Sequence, residues 1–348
     1  MGKREGRSCA IDLVKAWAIF GVLVIHTTSS WGYQGEVGSF SWGCSLFWGS
    51  LCRASVPLFF MCSGALMLPP ERELPLQKLF ARYLPRLAAA MAVWAMGYKV
   101  VYLAEEGGLS AGGVIQAAKE VALFRQEYHF YYLHIILLFY LCLPVMRVFT
   151  AHAGKRQFEY ALAVWFLLGI LYPTVIDQWP FARMGGIARQ WRMNMTYAAM
   201  GYGLLGHYLQ KYRLKPWLCG ALAAAGLGVV FGGTWVRSAQ QGSLSDQYLQ
   251  GMSWGVCLLG AGIFGLSHAL QGRAPGWLRG GAAWLSKASF CIYLSHVLFI
   301  HWFIRWGLDL AFCGTWASVP LTALLVGAAS CGVYLVLARI PVVNRWLL

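Results

Sequence analysis

The chain has 348 residues, 59% of them hydrophobic and only 12% charged, and its mean hydropathy is +0.55. An ordinary soluble domain carries about 25% charged residues, so a water-soluble globule is excluded. Lys and Arg number 28 against 13 Asp and Glu, a formal net charge of +15; in so apolar a chain this excess reads as basic loops on one side of a membrane, and no nucleic-acid partner is expected.

The apolar residues lie in runs of about twenty, enough for a helix to cross a ~30 Å hydrocarbon core. Stretches such as 161–176 and 317–337 show no alternation of polarity, which argues against a transmembrane β-barrel. The class is all-α, a polytopic bundle of about ten transmembrane helices. In chain order the runs place them near 11–29, 44–68, 79–103, 129–149, 157–176, 194–210, 216–236, 250–270, 282–304 and 317–338.

The connections sort by charge. One side collects Lys3, Arg4, Arg7 and Lys15, then Arg72, Lys78, Arg82 and Arg86, and later Arg147, Lys155, Arg156, Lys211, Arg213, Lys215, Arg273, Arg279, Lys287, Arg339 and Arg345. The other side holds Arg53, Lys99, Lys119, Arg125, Arg183, Arg189, Arg192, Arg237 and Arg305. The bias places both termini in the cytoplasm. The outer connections 104–128 and 177–193 each have room for a short interfacial helix. No cleavable leader, fixed-period repeat or pair of Gly/Pro-broken half-helices is evident, and residues 1–348 read as one membrane domain without an appended soluble one.

Ionisable residues in the runs are the functional candidates, because an ionisable group in hydrocarbon must face a bundle interior or a wet cavity. Asp12, Lys15 and His26 share a face of the first helix: Lys15 to His26 is eleven residues, about three turns and roughly 16 Å at 1.5 Å per residue. Asp12 and Lys15 are spaced to pair, and His26, near mid-membrane depth, can serve as a general base. The alternative has Lys15 snorkelling to headgroups and His26 bonded to a neighbouring carbonyl. In the second run, Ser55 to Gly64 combines a proline with Ser63-Gly64, a pattern as suited to close helix packing as to chemistry. Lys78, Arg82 and Arg86 follow at the membrane entrance, with the arginines four apart, as a phosphate grip or an ordinary basic anchor.

Glu127, His129 and His134 open the fourth helix among tyrosines, as an outer gate for an acceptor substrate or as part of an aromatic belt. The ninth helix carries Tyr293, Leu294 and His296, a second intramembrane imidazole, with His301 nearer its outer end. No spacing in the chain proposes a metal site, and none is expected. The ten cysteines include no C-x-x-C pair, and most lie in apolar runs as small hydrophobes; Cys44 and Cys313, near the outer surface, are placed so that they could pair. Trp31, Trp42, Trp48, Trp179 and Trp191 lie on the outer side, as sugar-stacking platforms or as belt residues.

Taken together, these segments resemble the acyltransferase family 3 membrane proteins. Ile11 to Ala16 followed by Val24-Ile25-His26 is similar to that family's opening helix, with Arg or Lys, ten residues and then His. Phe59-Phe60-x-x-Ser63-Gly64 resembles its second-helix signature, Arg82-x-x-x-Arg86 its basic entrance and Tyr293-Leu294-x-His296 its late motif, in the same order from residue 11 to about 338. The resemblance implies transfer of an acyl group, usually acetyl, from cytoplasmic acyl-CoA to a hydroxyl of a cell-envelope glycan or other acceptor, in a bacterial inner membrane. It implies His26 as base, with Lys15 and Asp12 supporting it, and Arg82 and Arg86, beside Lys78, on the CoA phosphates. Ser63, Tyr293 and His296 are the candidate oxyanion donors; Glu127, His129 and His134 would meet the acceptor. Lys15 stands where many members have Arg, keeping the charge without the bidentate grip, and the Arg82 to Arg86 spacing is one residue longer than in some members. The family's fused outer esterase-like domain has no counterpart here. Some relatives are tied to amino-acid export, so a small-molecule transporter using the same polar stripe is the competing expectation; a scaffold protein would have no need of the stripe.

Overall fold

A computed structural model describes residues 8–178, 180–183, 186–308, 310 and 312–348. Lys3, Arg4, Arg7 and Trp179 lie outside the described residues. The protein is 79% helical, and among the described residues there is no strand.

All ten apolar runs form helices. The first is α1 (Cys9–Trp31). The second run is divided into α2 (Phe40–Leu51) and α3 (Ser55–Met67) by a turn at Cys52, Arg53 and Ala54. There follow α4 (Leu76–Glu105), α5 (Ala111–Ala122), α6 (Tyr131–His152), α7 (Lys155–Val175), α8 (Met195–Lys211), α9 (Pro216–Gln241), α10 (Trp254–Leu270), α11 (Gly276–Arg305), α12 (Thr315–Leu337) and the short α13 (Pro341–Trp346). Eight spans, counting α2 and α3 as one, are long and apolar enough to cross a membrane, and α10 is a shorter apolar helix. The protein is an integral multi-pass membrane bundle.

Local chemistry sets the helix starts. Ser39 Oγ accepts from the Trp42 N–H, Asn194 Oδ1 from the Thr196 N–H and Ser110 Oγ from the Gly113 N–H, each relieving one of the free donors of a first turn. Gly242 ends α9 in the left-handed region at φ 66°, where a side chain would be strained. Of the two long connections, 104–128 does form a helix, α5, while 177–193 is limited to the 3₁₀ turns Phe181–Arg183 and Gly186–Trp191.

The centre of the bundle is α1, packed against α3, α11 and α12. The α2–α3 span is 67% buried and α1 and α11 are each 56% buried, against 22% for the peripheral α9. The division of the second run differs from the single span expected over 44–68. Proline at 57 supplies no N–H to the preceding turn, and Ser55 Oγ turns back to the Cys52 carbonyl at 2.6 Å. The turn lies beside Gly21 of α1, where a Cβ would come within 2.1 Å of Ser55 Oγ.

Ser63-Gly64 serves helix packing: a Cβ at Gly64 would lie 1.9 Å from the carbonyl oxygen of Gly203 on α8, and one at Gly206 2.1 Å from that of Met61. The two backbones cross in direct contact, as small residues permit between membrane helices. Cys44 and Cys313 are both free, the first buried and the second within 3.3 Å of Ser318 Oγ, so the pairing considered from sequence is not formed. Trp42 is buried against Trp235, with ring centroids 5.2 Å apart, and Trp31 and Trp48 donate to the carbonyls of Leu308 and Trp316; these three are packing residues, and Trp191 is exposed.

Gly64→Ala is expected to lower the melting temperature in detergent, by roughly the 1–3 kcal/mol of an overpacked core. Gly97→Ala, where an added Cβ meets nothing within 4 Å, is expected to leave it unchanged. Equal melting of the two variants would contradict the close crossing of α3 and α8.

Candidate active site

Two polar cavities open toward opposite ends of α1. The cavity at the N-terminal face, about 850 Å³, is lined by Asp12 and Lys15 of α1, by Arg72, Lys78 and Lys287, and by Glu71 and Glu73 among others. Its wall is the loop between α3 and α4. Arg147 of α6 holds that loop, donating to the Met67 carbonyl at 2.6 Å, to Pro69 at 3.1 Å and to Arg72 at 2.5 Å, while Thr150 Oγ1 donates to Leu68. Arg72 in turn donates to the Leu66 carbonyl at 2.6 Å. Asp12 is buried and Lys15 half-buried, so the first part of the stripe faces this cavity rather than lipid.

The cavity at the opposite face, about 510 Å³, contains His26, Ser29, Ser30, Arg53, Tyr128, His129, Tyr131 and Tyr293. It is open at Tyr128 and Tyr131, 57% and 42% exposed. His26 lies five residues before the end of α1, so it sits nearer this face than the mid-membrane depth expected. Its Nδ1 and the Tyr128 Oη are 3.2 Å apart. Behind it stand two more imidazoles: ring centroids are 4.9 Å from His26 to His296, 5.1 Å from His129 to His296 and 6.5 Å from His26 to His129.

Backbone bonds hold this group. His296 Nδ1 donates to the Tyr293 carbonyl at 2.7 Å, a partner that only accepts, which leaves Nε2 as the ring's free nitrogen. The Tyr293 hydroxyl donates to the His129 carbonyl, tying α11 to the 3₁₀ turn Tyr128–Phe130. The Tyr98 hydroxyl of α4 donates to the Leu294 carbonyl at 2.9 Å and accepts from the Leu298 N–H at 3.2 Å, so it bridges the α11 ladder beside His296. Among the described residues, no group of three or more His, Cys, Asp or Glu is arranged to hold a metal ion.

The structure brings His26, His129 and Tyr293 to one cavity, with His296 directly behind. Ser63 is placed elsewhere: its hydroxyl donates back to the Phe59 carbonyl at 2.9 Å, and it lines neither cavity. Of the three basic residues assigned to CoA, Lys78 lines the N-terminal-face cavity. Arg82 is exposed in a π-helical turn, Leu79–Tyr83, and Arg86 sits near Tyr83 and Tyr140. His134 packs on Phe124, ring centroids 5.3 Å apart, away from the cavity. Glu127 precedes Tyr128 but does not line the cavity; burial raises its carboxyl above the usual range, opposed by the charges of Lys99 and His301. Arg53 was counted with the outer loop cations, yet it occupies the break between α2 and α3 in the middle of a span. A charge inside an apolar run, followed by proline, was the signal that could have found it.

A family model described as an acyltransferase domain matches residues 10–339. The chain therefore belongs to the acyltransferase family 3 proteins and is a polytopic membrane acyltransferase. Comparison with curated proteins and with solved structures gave no match.

Tyr293→Phe would leave the buried His129 carbonyl without that donor, at a cost of about 1–3 kcal/mol. The expected outcome is a lower melting temperature, with the fold retained. An unchanged melting temperature would show that this bond does not hold α11 to the His129 turn.

Proposed function

We propose that this acyltransferase takes an acyl group, acetyl by family expectation, from acyl-CoA bound at the N-terminal face and passes it to a hydroxyl of an acceptor in the opposite cavity. The observation that carries the reading is the pair of polar cavities at the two ends of one buried helix. The first has four cationic side chains, Lys15, Arg72, Lys78 and Lys287, suited to the phosphates of a CoA nucleotide, and the second presents His26. Lys15 and Val22 line different cavities and are separated by about 10 Å along the helix at 1.5 Å per residue, so the acyl-bearing arm of CoA crosses this distance and its nucleotide does not. The excess of Lys and Arg at the N-terminal face supports that face as the cytoplasmic one, and in this reading the acceptor is a glycan or other hydroxyl compound of the cell envelope, with the bacterial inner membrane as the setting.

The chemistry asked of the protein is modest, because a thioester is already activated. In the tautomer whose Nδ1–H donates to Tyr128, His26 Nε2 carries the lone pair. It takes the proton of the acceptor hydroxyl as the oxygen attacks the thioester carbonyl. The tetrahedral oxyanion collapses, the C–S bond breaks, and the imidazolium returns the proton to the leaving CoA sulfur. Ester and free CoA are the products. His296 and His129 pack behind His26 and fix its ring as positioning residues. Because the hydroxyls of Ser63 and Tyr293 are bonded to carbonyls, the cavity-facing Tyr128 is better placed than either of them to stabilise the oxyanion. Lys15 and Asp12, about 16 and 21 Å away along α1 at 1.5 Å per residue, act on the donor rather than on His26.

A transporter remains the second reading, favoured by the α2–α3 break, since transporters place broken helices at substrate sites. Radiolabelled acetyl-CoA supplied to purified protein with envelope glycans decides between them. The expected result is stoichiometric CoA release with label on the acceptor, reduced about 10²–10⁴-fold in His26→Ala, the range for loss of a general base. Solute flux without acetyl-CoA, and no CoA release with any acceptor, would establish the transporter instead. Lys78→Ala combined with Lys287→Ala is expected to raise the KM for acetyl-CoA with kcat at saturation little changed. A fall in kcat alone would remove these lysines from donor binding.

A further inference from the structure

We infer that the acceptor carries a negative charge beside its reacting hydroxyl, a carboxylate or phosphate, and that Arg53 binds it. This rests on the acyltransferase reading for the word acceptor, but the binding site stands on its own geometry. Arg53 lies in the break of the second span, where its Nε donates to the Leu249 carbonyl. That bond uses one of five N–H donors and fixes the plane of the guanidinium. Among the described residues Arg53 has no carboxylate partner, although an arginine inside a membrane ordinarily pairs or marks a ligand path.

The surroundings leave that charge without a counter-charge. Among the described residues no Asp or Glu lines the cavity. The break sets the uncapped N-terminus of α3 at Ser55 against the C-terminus of α2 at Leu51, opposite dipole ends that offset one another, so the positive charge there is that of Arg53 itself. The contrast with the opposite end of α1 is direct, since the N-terminal-face cavity balances its cations with Asp12, Glu71 and Glu73. Arg53 and His26 line the same cavity, so an anion gripped by the two terminal nitrogens would hold a neighbouring hydroxyl toward the imidazole. A planar, two-pronged donor is also what carboxylate and phosphate oxygens match.

The test measures binding by full-length protein in lipid nanodiscs, with D-glucuronate, glucose 6-phosphate and glucose as probes of equal ring chemistry, and acetyl-CoA binding as a separate readout. The expected result is that at least one anionic probe binds about tenfold or more tightly than glucose, the equivalent of one charge-assisted hydrogen bond. Arg53→Gln removes that preference, Arg53→Lys keeps part of it, and both variants bind acetyl-CoA as the parent does, which shows that they are folded. Glucuronate and glucose 6-phosphate together tell carboxylate from phosphate. Equal binding of all three sugars, no binding of any, or a preference unchanged in Arg53→Gln would overturn the inference. So would loss of turnover in Arg53→Gln with no effect on probe binding, which would make Arg53 an oxyanion donor only. Anion binding lost in Arg53→Gln, in a protein that never releases CoA, would instead uphold the site and refute the acyltransferase reading.

Discussion

A charged or titratable side chain cannot face lipid tails without a large penalty, and α1 carries three of them. That constraint explains why α1 is central and not peripheral. Asp12 and Lys15 need an aqueous cavity at one end and His26 needs one at the other, so the remaining helices are arranged to enclose both. The segments around α1 supply what each cavity lacks: the chain from α3 into α4 brings Arg72 and Lys78, and α11 brings Lys287 at one end and Tyr293 and His296 at the other. Small residues let this happen at close range, with α3 crossing α8 at Gly64, Gly203 and Gly206.

The two cavities differ in electrostatic character, and that difference matches a division of labour. At the N-terminal face cations and carboxylates are mixed, which suits reversible binding of a large polyanion that must also leave. At the opposite face the ionisable groups are one arginine and histidines. Three imidazoles lie within 4.9 to 6.5 Å of one another, close enough for each ring to pack on the next. Burying His296 behind His26 with its Nδ1–H committed to a carbonyl leaves it one fixed orientation.

Much of this was legible in the linear chain. Each of the ten apolar runs became helical, the second as two helices, and eight spans are long and apolar enough to cross a membrane, because the length of an apolar stretch is set by membrane thickness. His26 and Lys15 stood out because their side chains have no place in lipid. The convergence of His129 with His26 and His296 was not legible: these lie on three different elements, and an imidazole among tyrosines at a helix start looks the same in a headgroup belt as in a cavity. Arg53 did not stand out as a site residue because a positive-inside count sorts cations by side without asking which of them lie within a run, as the turn at 52–54 does. The Arg82 to Arg86 spacing assumed a regular α-helix, and the π turn at Leu79–Tyr83 breaks that periodicity. Ser63 looked available for catalysis, but a serine inside a helix readily turns its hydroxyl to the carbonyl four residues back, as Ser63 does to Phe59.

The central claim is that donor and acceptor occupy opposite ends of α1, so that the acyl group crosses while CoA does not. Proteoliposomes of defined orientation, given labelled acetyl-CoA on one face only and acceptor on the other only, test it most directly. The expected result is labelled acceptor on its own side and all free CoA on the donor side, in only one of the two orientations. Transfer that requires both reactants on the same face, or that proceeds equally in either orientation, would contradict the claim.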